Sequence, residues 1–118
     1  MLIGGQAGVK VYVALAPTDM RKAFDGLSAL VQNVLAHDPF AGHWFVFRNK
    51  AGNRVKLLAW DGTGLSLYYK RLDAGTFYWP ALDNGVCELS VAELNLLLDG
   101  MDWRRLRQRQ PRQPSQVN

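Results

Sequence analysis

The sequence holds a single cysteine, two histidines and no acidic residue beyond Asp102. With only the Cys87 thiol, no intramolecular disulfide can form, so the fold must rest on packing; a reducing, cytoplasmic setting is expected, with the thiol acting as a small hydrophobe. His37 and His43 have no cysteine or acid at ligand spacing, which argues against a zinc site. No run approaches the roughly 20 apolar residues of a membrane-crossing helix. The apolar start MLIGGQAGVKVYVAL also lacks the basic leader of an export signal, and no membrane contact is expected. Phosphate-cradling glycine loops and nucleophile elbows are missing. The ten acids are scattered without a paired-site spacing. A non-enzyme without cofactor or metal is therefore expected, with an enzymatic reading through Asp19, Asp25 and Asp61 ranked behind.

The charge that is present is unevenly placed. Residues 1–103 carry nine Lys or Arg against ten Asp or Glu, whereas residues 104–118 carry five Arg and no acid, which puts the whole formal excess of +4 at the C-terminal end. The length suits one domain, assigned to 1–103. The segment RRLRQRQPRQPSQVN is too poor in apolar residues to fold alone, so 104–118 is expected to be a disordered, Arg-rich tail. Clustered arginines release counterions from nucleic acid, and Arg104, Arg105 and Arg107 are candidate contacts; a merely solubilising tail is the alternative.

The richest stretch runs from Asp38 to Pro80. His43–Arg48, Arg54–Trp60, Leu65–Lys70 and Thr76–Trp79 are short, aromatic and β-branched, and are separated by Gly- and Asn-containing turns, which predicts an antiparallel meander paired in order. Alternation along the strands gives two sets of side chains. Phe45, Phe47, Val55, Leu57, Ala59, Leu65, Leu67, Tyr69, Phe77 and Trp79 are expected to face the core. The other set holds Arg48, Arg54, Lys56 and Lys70 with Trp44, Trp60, Tyr68 and Tyr78. That mixture suits a sheet that binds phosphates and stacks bases. It also suits an ordinary solvated sheet face.

Around the meander, Val9–Leu15 alternates as a strand that Pro17 ends. Thr18 is a possible N-cap for a helix over about Asp19–Ala36, with Met20, Phe24, Leu27, Val31, Val34 and Leu35 on its inner side and Gly26 marking a close contact with the sheet. Arg21 and Lys22 in its first turn are phosphate candidates; an Arg21–Asp25 surface pair is the structural alternative. Val86–Leu89 reads as a short edge strand. Ser90 and Glu93 form a capping box that starts a helix with Leu94, Leu97, Leu98 and Met101 buried.

Several segments taken together are specific. TDMR (18–21), FDGL (24–27), DPF (38–40), FVFR (45–48), Lys56, WDG (60–62), Gly64, KRL (70–72), Gly75, Phe77, WP (79–80) and LLLDGMDW (96–103) resemble the small accessory proteins, called TnpB, of the insertion sequence 66 transposon family. Ala23 stands where that family usually has Gly. The resemblance implies a bacterial mobile element whose catalytic transposase is a separate, longer protein. This chain would then be a non-catalytic accessory factor of transposition.

The expected architecture is an α+β domain: an N-terminal strand, one long helix, an antiparallel meander and a C-terminal helix, with both helices on one sheet face. The leading function is DNA contact through Arg48, Arg54, Lys56, Lys70, Arg71 and the C-terminal arginines. The alternative is a module that docks the element's transposase through Trp44, Trp60, Tyr68 and Tyr78, since aromatic residues anchor interfaces. The oligomeric state stays open.

Overall fold

Two tight turns fold residues 44–71 into three antiparallel strands, β2 (Trp44–Arg48), β3 (Arg54–Trp60) and β4 (Leu65–Arg71). In the first turn, Asn49 donates to Asn53 and accepts from the Arg54 amide. In the second, one Asp61 oxygen accepts from the Thr63 amide and hydroxyl and from the Gly64 amide, which holds the Asp61 carboxyl below its ordinary pKa. The N-terminal strand β1 (Val11–Ala14) joins this meander parallel to β2, and β5 (Val86–Leu89) closes the far side antiparallel to β1. The computed structural model describes residues 8–108, and its five strands form one mixed sheet in the order β4-β3-β2-β1-β5.

The α+β class, the meander order and the edge position of Val86–Leu89 match expectation; the faces do not. Register sets Phe45 opposite Leu58 and Phe47 opposite Lys56, while Val46 opposes Leu57 and Arg48 opposes Val55. Directly opposed residues share a face. Phe45, Phe47, Leu58, Leu65 and Leu67 therefore lie with Leu27 and Val31 of helix α1 (Phe24–Asn33). Val55, Leu57 and Ala59 lie on the other face, with Val46, Phe77 and Leu94, Leu97 and Leu98 of helix α2 (Val91–Leu98). Each sheet face carries a helix, so no side of the sheet is left open as a basic surface. The expected core set thus divides, with Phe45, Phe47 and Leu67 on one side and Leu57, Phe77 and Trp79 on the other. Alternation fixes parity within a strand, but the turn fixes it between strands, and the sequence of β3 is apolar at both parities over Leu57–Ala59.

The long helix is shorter than its apolar spacing suggested. Thr18 is not its cap: its amide donates to the Arg48 carbonyl, and α1 starts only after Ala23, with no side-chain cap. Residues 19–22 instead form a turn in which Arg21 binds Asp19 rather than Asp25. Gly26 marks a close approach to the Lys22 side chain, not to the sheet, since a Cβ there would stand 3.1 Å from Lys22 Cβ. Phe24 and Val34, expected inside, are 44% and 63% exposed. Met101 is likewise exposed, because α2 ends at Leu98.

Thr76–Trp79 is not a strand. It braces the first meander turn: the Phe77 amide and Trp79 Nε1 both donate to the Gly52 carbonyl. Gly52 itself has a φ of 78° and is buried under Trp79 and Arg48, where a Cβ would meet Arg48 Nη2 at 3.3 Å. Of the expected tail, residues 104–108 form helix α3 (Arg104–Gln108); residues 109–118 lie outside the described residues.

Candidate nucleic-acid interface

The sequence placed its cations on one open face, and the fold gives most of them internal partners. Lys56 is 5% exposed and donates to the Met20 and Lys22 carbonyls at 2.7 and 2.6 Å, with its ammonium 4.7 Å from the Tyr69 ring centre. It anchors the turn that leads into α1. Lys70 donates to the Leu98 carbonyl at 2.7 Å, so it caps the C-terminus of α2, where a cation complements unpaired carbonyls. Arg48 is buried; it packs over the Trp79 ring, donates to the Asn49 carbonyl, and burial lowers its pKa.

The C-terminal arginines divide in the same way. Arg107 grips the buried Glu93 carboxylate with two bonds, of 2.8 and 3.0 Å, and lies over Trp103. Burial pushes the Glu93 carboxyl up, but Arg107 and the Ser90 amide outweigh it and the net shift is downward. Arg104 pairs with Asp102 and lies over Tyr78, and Arg105 is exposed. At the phosphate candidates, Arg21 forms two-point contact with Asp19, whose pKa its hydrogen bonds lower to about 2, while Lys22 is exposed.

What remains is a smaller basic site at one end of the sheet. Arg54 and Arg71 stand directly opposite each other on β3 and β4, on the α1 side. The neighbouring pair on that side is Lys56 with Tyr69, and the Tyr69 hydroxyl accepts from Arg54 Nη1 at 2.9 Å. Tyr69 is 46% exposed. Lys50, in the turn before β3, is exposed at the same end, and the Lys22 carbonyl is tied there by Lys56. Among the described residues neither Arg54 nor Arg71 makes an ion pair. Tyr69 was assigned to the core from parity; its role beside Arg54 depends on the β3–β4 register, which left no trace in the sequence.

The expected aromatic anchors do not form one patch. Trp44 is buried in the α2-side core and Tyr68 packs against it. Trp60 remains half-buried, with Phe40 edge-on at 5.3 Å, and Tyr78 is exposed under Arg104. A hollow of about 290 Å³ beside Phe40 is lined by Gln32, Ala36, His37, Asp38 and Pro39. His37 and His43 both pack on Tyr12, and His43 Nδ1 accepts from the Lys10 amide. Of the acids in the enzymatic reading, Asp19 is engaged by Arg21, Asp25 lies in the first turn of α1, and Asp61 is spent on the turn after β3. Among the described residues no cluster of three or more His, Cys, Asp or Glu side chains forms a metal site. Nor is any described helix long and apolar enough to cross a membrane.

The fold and this site describe a small α+β domain that carries an unneutralised arginine pair. The sequence profile of the IS66 Orf2-like proteins matches residues 9–108, and the chain belongs to that family, whose members are accessory proteins associated with insertion sequences. Two relatives come from Sinorhizobium fredii (strain NBRC 101917 / NGR234). The uncharacterized protein y4jC is 38% identical over 116 residues, covering 98% of this chain and 99% of its own length. The uncharacterized protein y4hO is 45% identical over 104 residues, covering 88% and 90% respectively. No solved structure matches the chain.

Proposed function

We propose that this accessory protein acts in transposition by binding DNA through the basic end of its sheet, with Arg54 and Arg71 as the phosphate contacts and Tyr69 beside them. The observation that carries this reading is the direct opposition of two arginines on one sheet face without an acid. Like charges directly opposed across strands are destabilising. A phosphate between them removes the repulsion, and each guanidinium can offer it two hydrogen bonds. Arg105 and Lys22 are exposed and add to the field. Arg48, Lys56, Lys70, Arg104 and Arg107 are left out of the contact because carbonyls or carboxylates of the fold already take their hydrogen bonds, whereas Arg54 donates only to the neutral Tyr69 hydroxyl.

The test is fluorescence anisotropy on labelled duplexes, including the ends of the parent element, across a salt series. Replacing both arginines, Arg54→Gln with Arg71→Gln, removes two phosphate contacts and flattens the salt dependence by about 1.8 log units. A full-length protein without affinity for any duplex would sink the proposal. The second reading, docking of the transposase, would then lead, because Trp60 and Phe40 form a half-exposed aromatic pair of the kind that anchors protein interfaces.

A further inference from the structure

The sheet has two edges, a short one partly covered by an arginine and a long bare one. The Leu15 amide bonds to Gly85, which sets the β1–β5 register so that Glu88 turns its backbone outward, and Arg107 Nη2 donates to that Glu88 carbonyl at 3.2 Å. At β4 the Leu72 amide bonds to Asn53 and the Asp61 amide to Gly64, so Ser66, Tyr68 and Lys70 spend their backbone groups on β3. Leu65, Leu67, Tyr69 and Arg71 therefore turn their N–H and C=O groups away from the sheet. Among the described residues none of these outward groups has a hydrogen-bond partner. The strand is seven residues long against four in β5, and no residue in it is fully buried. A long bare edge of this kind is a template for another strand.

We propose that β4 pairs with β4 of a second copy of this chain, antiparallel and centred on Tyr68. In that register Leu67 faces the second copy's Tyr69 and Leu65 faces its Arg71, so all four outward-turned residues on each side are bonded. Centring on Leu67 or Tyr69 shortens the overlap. Charge also fits: Lys70 faces Ser66 and Arg71 faces Leu65, so no cation opposes a cation. A parallel, in-register pairing would set Lys70 against Lys70 and Arg71 against Arg71. The contact is isologous, which closes the assembly at a dimer with one continuous ten-stranded sheet. The pairing uses backbone groups of the strand whose Tyr69 and Arg71 side chains serve the DNA reading, but its argument and its test do not require DNA binding.

Sedimentation equilibrium of the full chain over a micromolar range tests it. Ser66 is exposed, so two substitutions there probe the register while circular dichroism confirms the fold. Ser66→Lys places a cation opposite Lys70 twice per dimer and weakens association roughly five-fold, whereas Ser66→Glu strengthens it by a similar factor. Asn95→Lys, on the exposed side of α2, adds the same charge away from the edge and leaves association unchanged. The proposal is overturned by a protein that stays monomeric throughout, by a dimer indifferent to both Ser66 variants, or by an Asn95→Lys effect equal to that of Ser66→Lys.

Discussion

Lys56 shows how one side chain can move from a presumed surface role to an internal one. Its sequence setting, RVKLLAW, gives no sign of partners thirty-odd positions earlier. Yet its ammonium satisfies two carbonyls of the 20–22 turn and stands over Tyr69. Hydrogen bonds to a charged donor are worth about 1.5–3 kcal/mol, so Lys56→Met is expected to cost about 2 kcal/mol in urea unfolding. The same variant should leave the salt slope of DNA binding where it was. A flattened slope in a fully folded Lys56→Met protein would return Lys56 to the contact surface.

At the scale of elements, the two main helices end through the same left-handed step, taken by different residues. After α2 the chain turns through Gly100 at a φ of 75°, and the Gly100 and Met101 amides close back on Leu97 and Leu96. After α1 the same left-handed step is taken by Ala36 at a φ of 56°, with the His37 amide bonded to Val31. A side chain in that region is strained by about 1–2 kcal/mol, offset in part by the greater freedom of glycine in the unfolded chain. Ala36→Gly is therefore expected to raise stability by about 0.5 kcal/mol, and Gly100→Ala to lower it by about 1 kcal/mol. Thermal melts that shift both variants in the same direction would contradict this account. The capping box of α2, by contrast, forms as its SVAE sequence announces: Ser90 accepts from the Glu93 amide and Glu93 from the Ser90 amide.

At the scale of the whole molecule, the Arg107–Glu93 pair ties α3 to the start of α2 and to the β5 edge. Because the folded-state pKa of Glu93 lies below its ordinary 4.5, the pair stabilises the fold above that pH, and the contribution fades as pH falls through the folded value. Arg107→Gln leaves a buried carboxylate without its cation, at a cost of about 2 kcal/mol near neutral pH. Urea midpoints measured from pH 7 to pH 3 should show the gap between parent and variant narrowing in acid. A gap that is constant over that range would mean the pair adds no pH-dependent stability.

The sequence by itself determined the class, the first three of the four strands read in the meander, the edge strand Val86–Leu89 and the capped start of α2, since each is written in local patterning: turn residues at fixed spacing, alternation, or a cap three residues before its partner. It also carried the family, through motifs spread from Thr18 to Trp103. Only the tertiary structure decided the rest. The parity of β3 relative to its neighbours is set by turn geometry, and a run apolar at both parities satisfies either face, so Arg54 and Lys56 moved to the α1 side. The buried or paired state of Arg48, Lys56, Lys70 and Arg107 depends on carbonyls, rings and a carboxylate supplied by distant segments. A cation reads the same in sequence whether its partner is a phosphate or the backbone of its own fold, and only the chain's path in space distinguishes the two.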